Sequence, residues 1–192
     1  MARPKEALIA KETVVETAAR IMARDGFEAL SLRRLGAELK VNSASLYHHF
    51  EGKDDILRAV ARAALKAIDL PPPSADWRGW IGRAAVGFRH LLIDRPYLVP
   101  LMLGQPRPRT LAIAVTDERL AEAGVSPAMR AEFLQALDMT VIGSALVAIA
   151  SAKAAAAQGE EERPAAIDHD ELLRTTIGML LDRFVSTSAD GA

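Results

Sequence analysis

Apolar residues recur at helical spacing along nearly the whole of this 192-residue chain. In the segment 11–24 the i, i+4, i+7 and i+8 positions of one helix face are all apolar, namely Val14, Ala18, Ile21 and Met22. The alternation of apolar and polar residues that indicates a half-buried strand is nearly absent. The sequence therefore predicts an all-α fold.

Glycine, proline and capping residues divide this helical pattern. Ser31 is a predicted N-cap, Asn42 or Ser43 is another, Gly26 is a predicted left-handed C-cap, and the prolines at 71–73 end a helix. An exposed loop is expected near 158–164 and a frayed tail after residue 186. Helices are predicted over about 11–24, 32–39, 43–49, 53–70, 77–93, 96–103, 110–123, 128–157 and 168–186.

Cysteine usage and apolar run length exclude several classes of protein. The chain has no cysteine, so it can form no disulfide framework and no thiolate metal site, which fits a reducing compartment. The longest uncharged stretch, 139–152, has 14 residues, fewer than the roughly 20 that a membrane-spanning helix needs. The first residues lack the apolar core of a signal peptide. We expect a cytoplasmic protein with no membrane partner.

Residues 31–50 are the segment with the clearest functional pattern. A short helix, a three-residue turn and a second short helix form the arrangement that many major-groove readers use, although helical hairpins within a core share it. The second helix begins with small residues, Ser43 to Ser45, which allow the backbone to approach DNA closely. Tyr47 and His48 then supply side chains long enough to reach phosphates or base edges.

Charge around this segment is locally positive, although the whole chain has a formal net charge of −1. Between Ser31 and Lys53 two acidic residues, Glu38 and Glu51, oppose four basic ones, Arg33, Arg34, Lys40 and Lys53. A near-neutral total does not exclude DNA binding. It predicts modest non-specific affinity and dependence on a few well-placed contacts.

The residues from Leu46 to Lys53, Leu-Tyr-His-His-Phe-Glu-Gly-Lys, resemble the Leu-Tyr-x-His-Phe-x-x-Lys signature of the tetracycline-repressor (TetR) family. The upstream sequence, including the run Leu30 to Leu35, is similar to the family's first two helices, and the likeness covers about 11–57. Two positions depart from the pattern, since Gly36 replaces the usual alanine and Lys40 the usual glycine. A non-glycine residue forced into the left-handed conformation costs roughly 1–2 kcal/mol.

The resemblance implies a helix-turn-helix DNA-binding domain over 1–52 and a helical ligand-binding and dimerisation domain over 53–192. It implies that Tyr47 and Lys53 hold phosphates, that His48 enters the groove, and that Arg33 reaches a phosphate or an outer base. His49 is either a phosphate contact or a packed histidine. The implied DNA-binding residues are Arg33, Ser43, Ala44, Ser45, Tyr47, His48, His49 and Lys53.

Two further sets of residues are candidates in the larger domain. The resemblance places a ligand pocket near the aromatic cluster at 77–97, although clustered aromatics also form plain core. The last two helices are interpreted as a two-fold interface, with burial inside one subunit as the alternative. The pocket candidates are Trp80, Phe88, His90, Tyr97 and Met102, and the interface candidates are Thr140, Ser144, Ala148, Ala152, Ile177, Leu180 and Phe184.

The function implied by the resemblance is that of a sequence-specific transcriptional regulator, a homodimeric repressor that a small-molecule effector releases from operator DNA. No cofactor, metal or catalytic residue is expected, because phosphate-loop, dinucleotide, hydrolase-elbow and zinc-helix motifs are missing from the sequence. A winged-helix regulator would need a β-hairpin after Phe50, where the pattern is helical. The alternative function is that of a helical dimeric adaptor or sensor without DNA binding.

Overall fold

The computed structural model describes residues 10–70, 72, 75–104, 111–158 and 167–189. Within these ranges the regular structure is helical and contains no strand, which confirms the all-α prediction. Short 3-10 turns lie at Phe27–Ala29 and Pro96–Leu98. The helices are α1 (Lys11–Asp25), α2 (Leu32–Leu39), α3 (Ser43–Leu46), α4 (Lys53–Lys66), α5 (Trp77–Asp94), α6 (Val99–Leu103), α7 (Leu111–Glu122), α8 (Pro127–Gln158) and α9 (His169–Ala189).

Two helix ends and one cap conformation outside the recognition helix differ from the prediction. Helix α4 ends at Lys66, so Ile68 lies beyond it, and α9 continues to Ala189 where a frayed tail was expected. Gly26 has φ 91° and ψ 163°, a positive-φ conformation outside the left-handed helical region that we predicted. The loop expected near 158–164 falls almost entirely outside the described residues.

The chain divides into two compact units. The first unit comprises Met1–Ala64 and Tyr97–Pro108, and the second comprises Leu65–Pro96 and Arg109–Ala192. The first unit thus extends past the predicted boundary at residue 52 through most of α4, and it includes α6. The assignment of 1–52 and 53–192 to two functional domains remains a proposal.

In the first unit α2 contacts both α1 and α3, and each helix places its apolar face inward. The Lys11 ammonium lies 5.2 Å from the centroid of the Phe50 ring. Such a cation–π contact holds Phe50 against the start of α1. The buried side chains of this unit include Val14, Ile21, Met22, Leu35, Leu46, Phe50, Ile56 and Val60.

In the second unit α5 packs against α8 and α9, which also contact each other. The core between these helices includes Trp80, Phe133, Val141, Leu173, Ile177 and Leu181. Phe133 meets Phe184 edge to face, with the ring centroids 5.6 Å apart. Arg130 joins α8 to α7 through Asp117, with Nε 2.9 Å from Oδ1.

Helix α8 is the long helix of the described residues whose composition is apolar enough to cross a membrane. Its segment Pro127–Ala156 is long and apolar enough to cross a membrane by length and composition, with a mean hydropathy of 1.8. Only 22% of an 18-residue stretch of this segment is buried within the subunit. Much of the apolar surface of this helix is therefore left for another surface to cover.

Candidate nucleic-acid interface

The recognition segment is a very short helix held by its cap. The Asn42 side chain accepts a hydrogen bond from the Ala44 N–H at 3.1 Å, which satisfies one of the free donors of α3. Asn42 is thus the cap, not Ser43. Regular helix ends at Leu46, earlier than predicted, and residues 47–49 continue as a turn with backbone bonds such as His49 N–H to Leu46 O at 3.1 Å.

Both departures from the family pattern lie at the end of α2 and the turn that follows it. Lys40 adopts φ 56° and ψ 41°, the left-handed conformation that glycine would take without strain. The Val41 N–H then donates to Gly36 O at 2.9 Å. A Cβ added at Gly36 would lie 3.0 Å from Val41 O and 3.3 Å from Ser43 N. Gly36 therefore permits the close approach of α2 to the backbone that begins the recognition helix.

The predicted DNA-binding residues lie on α2, on and just after α3, and at the start of α4, and buried neighbours anchor this part of the chain. Tyr47 is 58% exposed, which excludes a core role for its ring, while the adjacent Leu46 is buried. Among the other candidates Arg33, Ala44 and His48 are exposed, whereas Ser43, Ser45, His49 and Lys53 are half-buried. Anchoring and exposed residues thus alternate along this segment.

Arg34 and Glu38, two of the charged residues counted between Ser31 and Lys53, form ion pairs within the first unit. The simple charge count from sequence is corrected accordingly. Arg34 donates to Asp25, and Arg24 donates to both Asp25 and Glu38. These hydrogen bonds, the one to Glu38 foremost, raise the pKa of Arg24. Arg33 forms no ion pair with the described residues. Sequence reasoning missed these pairs because it carries no register between α1 and α2.

Lys53 is the first residue of α4 and its ammonium lies 5.7 Å from the centroid of the Phe27 ring. The side chain is half-buried, so this contact restricts it close to the helix N-terminus. A lysine held beside the free N–H groups of a helix start adds a full charge to the partial positive charge there. This combination favours an anion such as a phosphate.

The five predicted pocket residues do not fall in one unit. Trp80 is a core residue of the second unit, Phe88 packs against the same core, and His90 is largely exposed. Tyr97 and Met102 belong to the first unit. These residues were grouped because they are close in sequence, within 77–102. The chain passes from the second unit to the first after Pro96, so closeness in sequence does not place them in one unit.

A buried polar cluster on α5, α8 and α9 was not predicted. Arg89 is 6% exposed and donates through Nε to Ser144 Oγ at 2.9 Å and through Nη1 to Asp170 Oδ1 at 2.8 Å. His90 Nε2 lies 2.7 Å from the other oxygen of Asp170. An arginine between apolar residues of α5 was the available sequence signal, because such a charge must find a partner when it is buried.

The predicted interface residues are mostly oriented toward their own subunit. Ile177 is 1% exposed within the core, Leu180 and Phe184 pack against that core, and Ser144 bonds Arg89. Thr140 and Ala148 are half-buried, and Ala152 is exposed. Sequence reasoning missed the large apolar side chains that are exposed on these helices, which are Met139, Leu146 and Val147 on α8 and Leu172 and Met179 on α9. The i, i+7 spacing of Met139 and Leu146, and of Leu172 and Met179, was the signal.

Comparisons with known proteins agree with the geometry of the first unit. Residues 14–60 match the family model of bacterial regulatory proteins, tetR family. An HTH-type transcriptional regulator of Saccharopolyspora erythraea is 30% identical over 71% of this chain, although the match spans only 60% of that protein. The class C tetracycline repressor of Escherichia coli is also 30% identical, over 79% of this chain and 72% of its own length.

A crystal structure of a TetR variant from Acinetobacter baumannii AYE in complex with minocycline has the same fold. Its TM-score is 0.72 at 25% identity, covering 94% of this chain and 98% of that one. These matches support the DNA-binding regulator over the adaptor that the sequence left as an alternative. The chain belongs to the tetR family of bacterial regulatory proteins, a family of DNA-binding transcriptional regulators.

Proposed function

We propose that the chain is a cytoplasmic, homodimeric repressor that binds operator DNA through α3 and is released by a small-molecule effector. It acts through binding rather than catalysis. The observation that carries this proposal is the exposed Tyr47, whose ring stands on the recognition segment while its neighbour Leu46 is buried. A large aromatic side chain exposed at the C-terminal end of a helix-turn-helix recognition helix is suited to contact the DNA backbone.

The DNA contacts in this proposal divide into two groups. The Tyr47 hydroxyl donates a hydrogen bond to a phosphate, and Lys53 binds a second phosphate at the start of α4. Arg33, Ser43, Ala44, Ser45, His48 and His49 face base edges or the flanking backbone. The exposure of Ala44 and His48 supports their access to a groove.

A second copy of the chain completes the proposed operator reader. Helices α8 and α9 carry large apolar side chains that are exposed in one subunit. These are Met139 and Leu146 on α8 and Leu172 and Met179 on α9. We infer that a two-fold mate covers them, rather than a lipid bilayer. Such a dimer presents two recognition helices to successive major grooves about 34–36 Å apart.

The effector enters the proposal through the relatives. The similar Acinetobacter protein has been crystallised with minocycline, and other relatives are named tetracycline repressors. We propose that the larger domain, 53–192, binds an effector near Phe88 and His90, which lie in the second unit. An effector that prefers one conformation lowers DNA affinity by its differential affinity for the two states. Helix α4 begins at Lys53 and continues to Lys66 without a break, so it is the proposed lever.

Selection of duplexes from a random pool with the purified protein tests this function. We expect enrichment of a two-fold symmetric sequence, strong loss of binding by Tyr47→Ala and an intermediate loss by Tyr47→Phe, which removes only the hydroxyl. The melting temperature of Tyr47→Ala should stay close to that of the unmodified protein, since the side chain is exposed. Failure to enrich any sequence, or full binding by Tyr47→Ala, would contradict the proposal.

The effector part of the proposal has a separate test. A thermal-shift screen of small molecules should find compounds that raise the melting temperature, because a ligand of the folded state stabilises it by mass action. A true effector should also release the selected duplex in a gel-shift assay. Compounds that raise the melting temperature without any effect on the duplex would count against an inducer mechanism.

A further inference from the structure

The solvent-facing side of α2 carries a positive charge at each end. Its exposed positions, together with its C-cap, are Arg33, Ala37 and Lys40, spaced at i, i+4 and i+7 along one side. Arg33 and Lys40 carry the two charges, and the small Ala37 separates them. These residues belong to the helix, with its C-cap, that directly precedes the recognition segment.

Lys40 resembles Arg33, and differs from three neighbouring cations, in having no charged or aromatic partner among the described residues. Arg24 and Arg34 are bonded to carboxylates, and Lys53 lies over the Phe27 ring. Lys40 is exposed and forms no ion pair or cation–π contact with the part of the chain that the structure describes. Its charge is therefore available to a partner outside the unit.

The backbone conformation of Lys40 gives an independent reason to expect a role for its side chain. At φ 56° and ψ 41° a glycine would be unstrained, whereas a lysine is strained. The backbone N–H bonds of the turn, to Ala37 O and Gly36 O, are ones that glycine would make as well. What lysine adds to the turn is its long cationic side chain, two residues before the cap Asn42.

We propose that Lys40 binds a DNA backbone phosphate beside the recognition helix. This inference rests on the proposed DNA-binding function and adds a contact at the position that departs from the family pattern. A phosphate contact carries no base information, so it acts on every sequence alike. Loss of each phosphate contact reduces the slope of log affinity against log salt by about 0.9, or about 1.8 for two copies in a dimer.

The test measures the affinity of the protein for a fluorescein-labelled duplex selected from a random pool, at salt concentrations from 50 to 200 mM. For Lys40→Gln we expect weaker binding than for the unmodified protein. The ratio of the two affinities should fall about 12-fold between 50 and 200 mM salt, because the two slopes differ by about 1.8. Lys40→Arg should retain the slope. Lys66→Gln is the matched control, because it removes one exposed charge about 20 Å along α4 from Lys53.

Lys40→Gly separates the charge from the strain. It should raise the melting temperature, because glycine relieves the left-handed strain, and it should weaken DNA binding with the same slope change as Lys40→Gln. Unchanged affinity and slope for Lys40→Gln, while the unmodified protein binds its duplex, would overturn this inference and leave the proposed function standing. If the unmodified protein selected no duplex at all, the proposed function would fall, and this inference with it.

Discussion

Arg89 donates a hydrogen bond from Nη1 to Oδ1 of Asp170 across 2.8 Å, and this ion pair joins the middle of α5 to the first turn of α9. The guanidinium is almost fully buried, whereas Asp170 is partly open to solvent. A second bond from Arg89 reaches Ser144 on α8. One side chain thus connects the three helices that form the core of the second unit.

Removal of the carboxylate at Asp170 should destabilise the protein strongly. Asp170→Ala leaves the Arg89 charge buried without its anionic partner, and we expect a loss of about 3 kcal/mol in the free energy of unfolding. Glu171→Ala is the matched control on the same helix turn, because Glu171 pairs with Arg174 at the surface, and it should cost about 0.5 kcal/mol or less. Urea denaturation at fixed protein concentration measures both. Equal small losses would show that Ser144 and water satisfy Arg89.

Loss of the α3 cap should weaken folding and DNA binding together. Asn42→Ala removes the acceptor of the Ala44 N–H and should cost about 1 kcal/mol of stability. Ser31→Ala removes the equivalent cap of α2, where Ser31 Oγ accepts from the Arg34 N–H at 3.2 Å, and it should cost a similar amount. DNA affinity should fall further for Asn42→Ala, because α3 has only four residues. Identical affinities for the two variants would contradict the role of this cap in the interface.

Asp168 should make unfolding of the second unit depend on acid pH. Its carboxylate accepts hydrogen bonds from the Glu171 and Asp170 N–H groups, both at 3.0 Å, and the bond from Glu171 foremost lowers the pKa of Asp168. The folded state therefore binds fewer protons, so this stabilisation is complete above the ordinary aspartate pKa of about 3.9 and disappears as the pH falls through the lower folded value.

Asp168→Asn checks this dependence, since it keeps a capping side chain that does not titrate. The difference in unfolding free energy between the unmodified protein and Asp168→Asn should be constant above about pH 5. At lower pH the unmodified protein should lose stability relative to the variant. Urea denaturation between pH 2 and pH 6 measures it. A difference that stayed constant over the whole range would exclude a pH-dependent contribution from this cap.

A charge placed on the exposed face of α8 or α9 should prevent dimer formation. Leu146→Glu and Met179→Glu substitute side chains that are exposed in one subunit, so neither should damage the subunit core. We expect sedimentation velocity to show monomers at micromolar concentration, with loss of binding to a two-fold duplex. Leu103→Glu, at a similarly exposed leucine on α6, is the control and should leave the dimer intact. A dimer that persisted in both α8 and α9 variants would place the interface elsewhere.

Helix positions and the recognition segment were largely accessible from sequence, because both depend on local signals. Ser31 caps α2 as predicted, and the segment it begins is helical over the predicted range 32–39. For this helix and its cap the pattern of a few neighbouring residues determines the local structure. The conformation of the turn was open from sequence, because lysine replaces the usual glycine of the family pattern, and the structure shows that Lys40 is left-handed.

The parts that sequence reasoning could not reach depend on how distant helices meet. The pairing of Arg34 with Asp25 and of Arg89 with Asp170 requires the register between helices, which local spacing does not contain. The orientation of Ile177 was misjudged for a related reason. Helix α9 has large apolar residues on more than one side, and only tertiary packing determines which of them the core buries.

In the proposed function, folding and operator choice depend on different residues around the short recognition helix. Leu46 and Phe50 are buried and anchor the segment, while Ala44 and His48 are exposed and contribute little to the core. Substitutions at the exposed positions are therefore expected to change stability by less than about 0.5 kcal/mol. A lineage carrying this scaffold can acquire a new operator preference by exchanging a few exposed side chains, without first becoming less stable.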